Sequence, residues 1–310
     1  MENRILGLHH VTAIAGNAQR NMDFYTRVLG LRLVKKTVNF DDPGTYHFYF
    51  GDEKGAPGTI LTFFPWEGIR NGVTGTGMVS TVNYSVAPGS FEFWKERFDK
   101  FNIKYQEVIE KFGEKVLSFR DPDGLSIHFV EDSNDKRKGW HTNEVNEANA
   151  AKGFYSVTLL LQKAEPTINV LSGIFGYQVQ KQEGNHYRLR TNAIDTASVI
   201  DITAASGATR GINAAGTFHH VAFRVKNEES LMEYREKVIK AGLHATDKID
   251  RDYFFSVYFR EPGGVLFELA TDPPGFTRDE PLDELGTHLK LPRQYEPSRK
   301  EIEAVLPVLT

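Results

Sequence analysis

One structural unit occurs four times along the chain, and this repetition constrains the fold more than any other feature. Each copy begins with a strand, continues through an amphipathic helix and a turn, and ends with three strands. Aligned positions about 70 residues apart are His10, Thr81, Ser156 and His220 in the first strands, and Thr62, His128, Asp201 and Glu268 in the last strands. The pattern predicts an α+β fold in which four βαβββ modules form two half-barrel cups.

The four predicted helices end at residues that tolerate a left-handed backbone. The helices are expected near Asn21–Leu29, Phe91–Phe98, Ile168–Phe175 and Glu229–Ala241, and the residues expected at their ends are Gly30, Asn102, Gly176 and Gly242. Glycine and asparagine are the residues that a left-handed C-cap favours. Equivalent helix ends therefore support the structural equivalence of the four copies.

A polar, charged run without hydrophobic periodicity separates the copies into two pairs. It begins at Glu131 and continues beyond Gly139. The sequence predicts an N-terminal domain of two modules over residues 1–135, a linker over 136–151, a C-terminal domain of two modules over 152–272, and a C-terminal arm over 273–310. The arm is rich in proline and is predicted to be a surface segment with one short helix near Arg299–Val305. We expect no catalytic group in it.

Two strands each project a histidine that is a candidate metal ligand. In the strand Phe218–Val225, alternation puts His219 on the apolar core face and His220 on the other face. His10 matches His220 in the first module, and Glu268 points away from the apolar face of the last strand. Two imidazoles and a carboxylate suit a divalent metal with open coordination positions. If the three bind one ion, modules one and four share a cup, and modules two and three share the other.

Composition excludes several classes of function. The net charge of −4 and the lack of a long basic run argue against a nucleic-acid partner. The chain has no cysteine, which excludes disulfides, thiolate ligands and a cysteine nucleophile and indicates a cytoplasmic location. No apolar run approaches the ~20 residues of a membrane span, and we expect no signal peptide. The sequence leaves open whether the protein forms a homo-oligomer.

The modular layout and the ligand set resemble the vicinal oxygen chelate superfamily, which includes glyoxalase I and the extradiol ring-cleaving dioxygenases. The stretch from Val257 to Glu268 is similar to the extradiol signature, with its tyrosine, its proline-glycine turn and its metal-binding glutamate. Catechol-cleaving enzymes carry a histidine before that tyrosine and take their ligands from modules three and four. Here Ile249–Tyr253 contains no histidine, and His10 lies in module one. Both departures match the Mhq-type and chlorohydroquinone dioxygenases.

This resemblance implies a non-haem Fe(II) enzyme, with Mn(II) as the alternative metal, that opens a small hydroquinone-type aromatic ring with O2 as co-substrate. We expect Tyr258 to donate a hydrogen bond to the substrate. Arg251 is expected to stabilise the negative charge of a phenolate or of reduced oxygen, in place of the missing histidine. Thr12, on the same strand face as His10, is expected to bond the substrate or a ligand. His219 is expected to support the site from the adjacent position.

Two other functions stay open at this point. A glyoxalase-type isomerase or lyase usually needs a second carboxylate as its base, whereas Thr62 stands at that position. A non-enzymatic quinone- or aromatic-binding protein would need no metal. The other cup offers Thr81, His128, Ser156 and Asp201, which form a weak ligand set for a divalent ion, and we expect no metal there. His47, Trp66, Trp94 and Trp140 are expected to serve packing.

Overall fold

The computed structural model describes residues 4–310, and over this range sixteen strands form two eight-stranded sheets. Modules one and two supply β1 Leu8–Ala15, β2 Arg32–Val38, β3 Tyr46–Gly51, β4 Ile60–Pro65, β5 Met78–Val86, β6 Ile109–Lys111, β7 Glu114–Arg120 and β8 Ser126–Glu131. Modules three and four supply β9 Phe154–Leu161, β10 Gln178–Glu183, β11 His186–Arg190, β12 Val199–Ala204, β13 Thr217–Val225, β14 Ile249–Asp250, β15 Phe254–Arg260 and β16 Leu266–Pro274.

The order of the strands shows which modules share a sheet. One sheet has the order β14-β15-β16-β13-β1-β4-β3-β2 and is called the 1–4 sheet, because it contains modules one and four. The other has the order β10-β11-β12-β9-β5-β8-β7-β6 and is called the 2–3 sheet. The predicted fold class and the predicted pairing of the modules are confirmed. In the 1–4 sheet β1 and β13 lie antiparallel at the centre, with Val11 opposite Val221.

Strand register confirms the alignment of the repeats. The residues opposite the four last-strand positions, in module order, are Thr12, Asn83, Thr158 and Ala222, which pair with Thr62, His128, Asp201 and Glu268. Each aligned first-strand position lies two residues before its pairing residue, and therefore on the same strand face. The repeated letters thus correspond to equivalent places in space.

The helices confirm the predicted C-caps and shift some boundaries. The observed helices are α1 Ala18–Asp23, which continues as a π-helical turn Phe24–Val28, α2 Phe91–Lys100, α3 Glu165–Gly173, α4 Glu228–Lys240 and α5 Arg299–Val305. The left-handed residues that follow the first four are Gly30, Asn102, Gly176 and Gly242, with φ angles of 69°, 58°, 76° and 82°. The first helix begins three residues earlier than predicted because Asn17 caps it, accepting a bond from the Arg20 amide.

Buried polar contacts and apolar packing connect consecutive modules. The Tyr25 hydroxyl in module one donates to Asp121 in module two (3.1 Å), and Thr167 in module three donates to Glu261 in module four (2.6 Å). Phe175, just after α3, packs against Phe223 of β13 with ring centroids 4.8 Å apart. Strands therefore join module one to four and two to three, while the helical layer joins one to two and three to four.

The C-terminal arm closes one end of the 1–4 cup, which the expectation of a surface segment missed. Phe276 is buried against Tyr49 and Tyr253, with ring centroids 5.1 Å away in both cases. The fully buried Lys35 ammonium pairs with Glu280 and, at 2.6 Å, with Asp279 of the arm. The short helix α5 forms over Arg299–Val305, as predicted. No helix within residues 4–310 has the length and hydropathy that crossing a bilayer requires.

Candidate metal centre

A β-bulge precedes each of the two site histidines. His9 in β1 and His219 in β13 are extra residues without an opposite partner in the pairing of these strands. Ser80 in β5 and Tyr155 in β9 are the extra residues at the same place in the other two modules. A bulge interrupts the alternation of side chains, so neighbouring side chains can turn to the same side. The prediction that His219 lies on the apolar core face is wrong for this reason.

The structure brings His10, His220 and Glu268 together. Glu268 Oε2 lies 3.0 Å from His10 Nε2 and 2.9 Å from His220 Nε2, and the two Nε2 atoms are 3.4 Å apart. All three side chains are buried. In the part of the chain that the structure describes, they are the one group of three histidine, cysteine, aspartate or glutamate residues whose ligand atoms lie within 4.8 Å of one another.

Glu268 presents one carboxylate oxygen to the histidines and anchors the other. Burial alone would raise the pKa of Glu268, but His10 and His220 beside it hold the pKa well below its ordinary value. The Ser256 hydroxyl donates to Oε1. Oε2 is buried and has no hydrogen-bond partner of good geometry. A buried, ionised oxygen in this state requires a compensating positive charge.

Hydrogen bonding fixes the tautomer of His10. His9 Nε2 lies 3.2 Å from the carbonyl oxygen of Thr271, which can only accept, so the proton of His9 is on Nε2. Burial, with His10 nearby, lowers the pKa of His9 well below its ordinary value, so His9 is neutral and its Nδ1 accepts. His10 Nδ1, 2.9 Å away, must then donate. In the neutral form in which histidine binds a metal, His10 then presents its Nε2 lone pair on the side of Glu268.

His219 contacts His220 in the same way. The two Nδ1 atoms are 2.8 Å apart, and burial lowers the pKa of His219 to about 3, so its ring is neutral. If His220 donates through Nδ1, its Nε2 lone pair also faces Glu268, and His219 carries its proton on Nε2. The two histidine pairs differ at their outer ends. His9 is tied to a backbone carbonyl, whereas His219 lines the cavity described below.

These residues fit a divalent cation. Neutral imidazole nitrogens and one carboxylate oxygen form the ligand set of non-haem Fe(II) oxygenases, and each imidazole is oriented through its other nitrogen. Ligand atoms about 2.1 Å from an ion and at right angles lie about 3.0 Å apart, and the observed separations are 2.9 to 3.4 Å. The geometry matches one triangular face of an octahedral site.

A cavity of about 350 Å³ adjoins the three side chains. Its volume is near the lower end of the ~300–1,000 Å³ range of small-molecule sites. Aromatic side chains form much of its wall, namely Phe40, Phe64, Trp66 and Phe254. His47 and Tyr49 also line it. The sequence predicted a packing role for His47 and Trp66. The aromatic run Tyr46–Phe50 was the one sequence feature that could have indicated a place in the cavity wall for His47.

Two hydrogen bonds fix the loop over residues 39–45, which forms part of the cavity wall. Trp66 Nε1 donates to Asp42 Oδ2 at 2.7 Å. The Tyr295 hydroxyl of the arm donates to the Phe40 carbonyl oxygen at 2.6 Å. The arm therefore supports the cavity from outside, although its own side chains do not line it.

Arg251 and Tyr258 lie together on the cavity wall. The Arg251 guanidinium is 5.4 Å from the Tyr258 ring centroid and 3.6 Å from the Asp41 carboxylate. The Tyr258 ring lies 5.6 Å from the His220 ring. Burial, with Glu268 nearby, raises the pKa of Tyr258, so its hydroxyl keeps its proton and can donate. Thr12 and His219 line the same cavity, so all four predicted catalytic residues surround one space.

Comparison with known proteins places this architecture in a family. The model of the Glyoxalase/Bleomycin resistance protein/Dioxygenase superfamily matches residues 7–129 and 145–269. MhqO of Bacillus subtilis (strain 168), provisionally named a ring-cleaving dioxygenase, is 47% identical over 98% of this chain and 96% of its own length. The chlorohydroquinone/hydroquinone 1,2-dioxygenase of Sphingobium indicum is 36% identical over 97% of this chain and 96% of its own length. The chain belongs to the dioxygenases of this superfamily.

Solved structures agree with this placement. A crystal structure from Bacillus subtilis, provisionally described as a dioxygenase, matches with a TM-score of 0.96 at 46% identity and covers 100% of this chain and 99% of its own. Glyoxalase I from Zea mays matches with a TM-score of 0.66 at 16% identity, over 93% of this chain and 98% of its own. The second match shows the shared fold alone.

The 2–3 sheet of this dioxygenase has a guanidinium beside the carboxylate that matches Glu268 of the 1–4 sheet. Asp201 pairs with Arg188 across the sheet, as Glu268 pairs with Tyr258. Two nitrogens of Arg188 bond the Asp201 carboxylate at 2.8 and 3.0 Å. The expectation that Asp201 is hydrogen-bonded within this cup is confirmed. The guanidinium supplies the positive charge that this buried carboxylate needs.

The stability of the protein is expected to fall in acid partly because of His128 in the 2–3 sheet. Burial, assisted by Lys111 and Arg120, lowers its pKa to about 4 from the ordinary 6.5. The native chain therefore binds fewer protons than the unfolded chain between these values. This contribution is complete above about pH 6.5 and is lost as the pH falls towards 4, and the loss at pH 5 amounts to about 2 kcal/mol.

The His128→Leu variant should isolate this contribution, because the Nδ1 atom that it removes is buried without a partner. Between pH 8 and pH 5 the variant should lose about 2 kcal/mol less unfolding free energy than the wild type, measured by urea denaturation. His244, which is exposed, supplies the control His244→Leu with an unchanged slope. Equal slopes for all three proteins would contradict the assignment.

Proposed function

We propose that the protein is a non-haem Fe(II)-dependent dioxygenase that opens hydroquinone-type aromatic rings with O2. The observation that carries this proposal is the convergence of His10, His220 and Glu268 beside a small cavity with aromatic walls. The names of the full-length relatives support it, since one acts on chlorohydroquinone and hydroquinone. Mn(II) is the alternative metal. When bound, Fe(II) supplies adjacent positions for a phenolate and O2 and carries electrons from the ring to O2.

The cavity is suited to holding a flat aromatic substrate beside the ligands. Phe64 and Trp66 lie 5.4 Å apart on the wall, and Phe254 packs 4.9 Å from the His10 ring. Aromatic rings favour offset or edge-to-face contacts at about 4.5–7 Å, so such walls orient a ring as well as exclude water. The substrate hydroxyl is then held near Thr12 and Tyr258.

Tyr258 and Arg251 are the groups that would act on the charge of the substrate. Tyr258 donates a hydrogen bond to the substrate oxygen, because burial keeps its phenol protonated. Arg251 adds a permanent positive charge that favours the ionised form of the substrate hydroxyl. It also stabilises negative charge that develops on reduced oxygen. Asp41 at the rim is exposed and lies 3.6 Å from the guanidinium.

The Tyr258→Phe variant is expected to lower kcat/KM about 10- to 100-fold, because it removes one charge-stabilising donor and preserves the ring. The measurement is O2 uptake by Fe(II)-loaded protein with hydroquinone. Tyr187→Phe, in the 2–3 sheet, is the matched control and should retain wild-type rates. A Tyr258→Phe enzyme with unchanged kcat/KM would remove the assigned role.

The environment of Thr62 argues against the isomerase alternative. Its hydroxyl bonds Thr12 and His47, each at 2.9 Å, at the position where a second carboxylate would act as base. Protein purified and loaded anaerobically with Fe(II) should consume about one O2 per hydroquinone. Turnover of methylglyoxal with a thiol in the absence of O2 would favour an isomerase, and aromatic binding that a chelator does not affect would favour a binding protein.

Two further expectations belong to the same proposal. The cytoplasmic location stays a prediction from the absence of cysteine. The substrate is proposed to be a small aromatic molecule, with nucleic acid excluded on charge grounds. The assembly of the protein into a homo-oligomer stays open.

A further inference from the structure

Four buried side chains form a hydrogen-bonded chain that ends beside the candidate metal centre. The Tyr49 hydroxyl lies 3.0 Å from His47 Nδ1. His47 Nε2 lies 2.9 Å from Thr62 Oγ1, which lies 2.9 Å from Thr12 Oγ1. Thr12 faces the cavity and pairs with His220 across β1 and β13. This arrangement was not foreseen from the sequence.

Tyr49 determines the direction of the chain. Its hydroxyl is buried, and His47 Nδ1 is its one hydrogen-bond partner among the described residues. Tyr49 lines the cavity, but the rings of Phe254 and Phe276 packed against it offer no acceptor. If His47 donated to Tyr49 instead, the tyrosine proton would have no partner in the described protein, which is unfavourable. Burial raises the pKa of Tyr49, which keeps the donor proton in place. Tyr49 therefore donates to His47 Nδ1.

The directions of the next two hydrogen bonds follow because a neutral histidine and a threonine hydroxyl each have one proton to donate. Burial lowers the pKa of His47 well below its ordinary value, so the ring is neutral and carries its one proton on Nε2. Nε2–H donates to Thr62 Oγ1. The single Thr62 hydroxyl proton then points to Thr12 Oγ1, which accepts it. The Thr12 hydroxyl proton is left without an acceptor in the described protein and is directed to the cavity.

We propose that Tyr49 and His47 are positioning residues that, through Thr62, hold the Thr12 hydroxyl as a donor towards the oxygen of a phenolic substrate. The substrate class in this statement rests on the proposed function, whereas the direction of the chain does not. A threonine hydroxyl can otherwise rotate between donating and accepting. The chain fixes it in the state that favours a phenolate over a neutral phenol.

The direction of the chain can be tested without metal, substrate or O2. In metal-free protein with 15N-labelled histidine, two-bond 1H–15N spectra distinguish the two neutral tautomers, and His47→Gln identifies the His47 signals. The wild type should show His47 protonated on Nε2. The Tyr49→Phe variant should show a shift towards the Nδ1-protonated form. An Nδ1-protonated His47 in the wild type would overturn the proposal.

The consequence for the ligand can be measured with 4-nitrophenol, whose absorbance reports its ionisation, in protein loaded with redox-inert Zn(II). Tyr49→Phe and Thr12→Val should each raise the pKa of the bound ligand by about 0.5 to 1 unit, a three- to tenfold loss of preference for the phenolate. The double variant should show no further shift, because both changes remove one function.

Tyr253→Phe is the matched control. Tyr253 is a buried tyrosine whose ring lies 6.2 Å from that of Tyr49. Its hydroxyl donates to Asp279, which is not part of the hydrogen-bonded series from Tyr49 to Thr12. This variant should leave the ligand pKa unchanged. Failure of 4-nitrophenol to bind the wild type, or an unchanged ligand pKa in Tyr49→Phe, would overturn the proposal. Failure of the dioxygenase proposal would appear differently. Fe(II)-loaded protein would take up no O2, while the His47 tautomer and the pKa of bound 4-nitrophenol would stay as expected.

Discussion

The His10→Ala variant is expected to lose ring-opening activity by at least about 10³-fold, because it removes one of the three proposed ligands and leaves two, which are not expected to hold the ion. Changes to residues that merely support a ligand already lower metal affinity or activity about 10- to 100-fold. His10 is also the proposed ligand whose Nδ1 is bonded by His9, which the Thr271 carbonyl orients. Wild-type protein dialysed after loading should retain about one ion per chain, and the variant should retain far less.

The two readouts for this variant are elemental analysis and O2 uptake with hydroquinone. His244→Ala, at an exposed position, is the matched control and should keep both the ion and the activity. If His10→Ala retained one ion per chain and wild-type uptake, His10 would not be a ligand. Loss of the ion with retained ring opening would show that the chemistry does not depend on this site.

The Lys35→Met variant is expected to lose about 3–5 kcal/mol of unfolding free energy, because it leaves a buried charge without its partner. The Lys35 ammonium is fully buried between Glu280 and Asp279 and lies 4.9 Å from the Tyr253 ring centroid. The Glu280 side chain is 1% exposed, so water cannot replace the lysine. The lost unfolding free energy would come from the contact between β2 and the arm that closes the 1–4 cup.

Urea denaturation at pH 7 gives this free energy. Lys36→Met is the matched control, since Lys36 is the next residue of β2 and is seen only in backbone pairing within the described chain. It should change stability by less than about 1 kcal/mol. The double variant Lys35→Met/Glu280→Gln should recover part of the loss, and equal stabilities of Lys35→Met and Lys36→Met would contradict the role of the arm.

The sequence was sufficient for the architecture because the repeat carries several independent landmarks. The residues after the helices, such as Gly30 and Asn102, reveal backbone conformation through their chemistry. The positions of His10, His220 and Glu268 then required modules one and four to meet, and the sheet order has this pairing. The requirement that these three side chains bind one ion thus selected one pairing of the modules, where chain length and periodicity alone allowed others.

Features that depend on pairing between distant segments could not be predicted. The bulges at His9 and His219 arise from the register between β1 and β13, and no local pattern marks them. The alternation rule therefore put His219 on the wrong face. The cavity that His47 lines is bordered by the loop over residues 39–45, and the arm holds this loop through a contact between Phe40 and Tyr295 that spans 255 positions.

The mass of the product is the most direct test of the central claim that modules one and four together hold an ion that opens an aromatic ring. Fe(II)-loaded protein, hydroquinone and 18O2 are combined, and the product is analysed at once by mass spectrometry. The account predicts a product equal to hydroquinone plus both atoms of one O2, absent with His10→Ala. A product that is quinone, formed by loss of two hydrogen atoms without 18O, or unchanged hydroquinone, would contradict it.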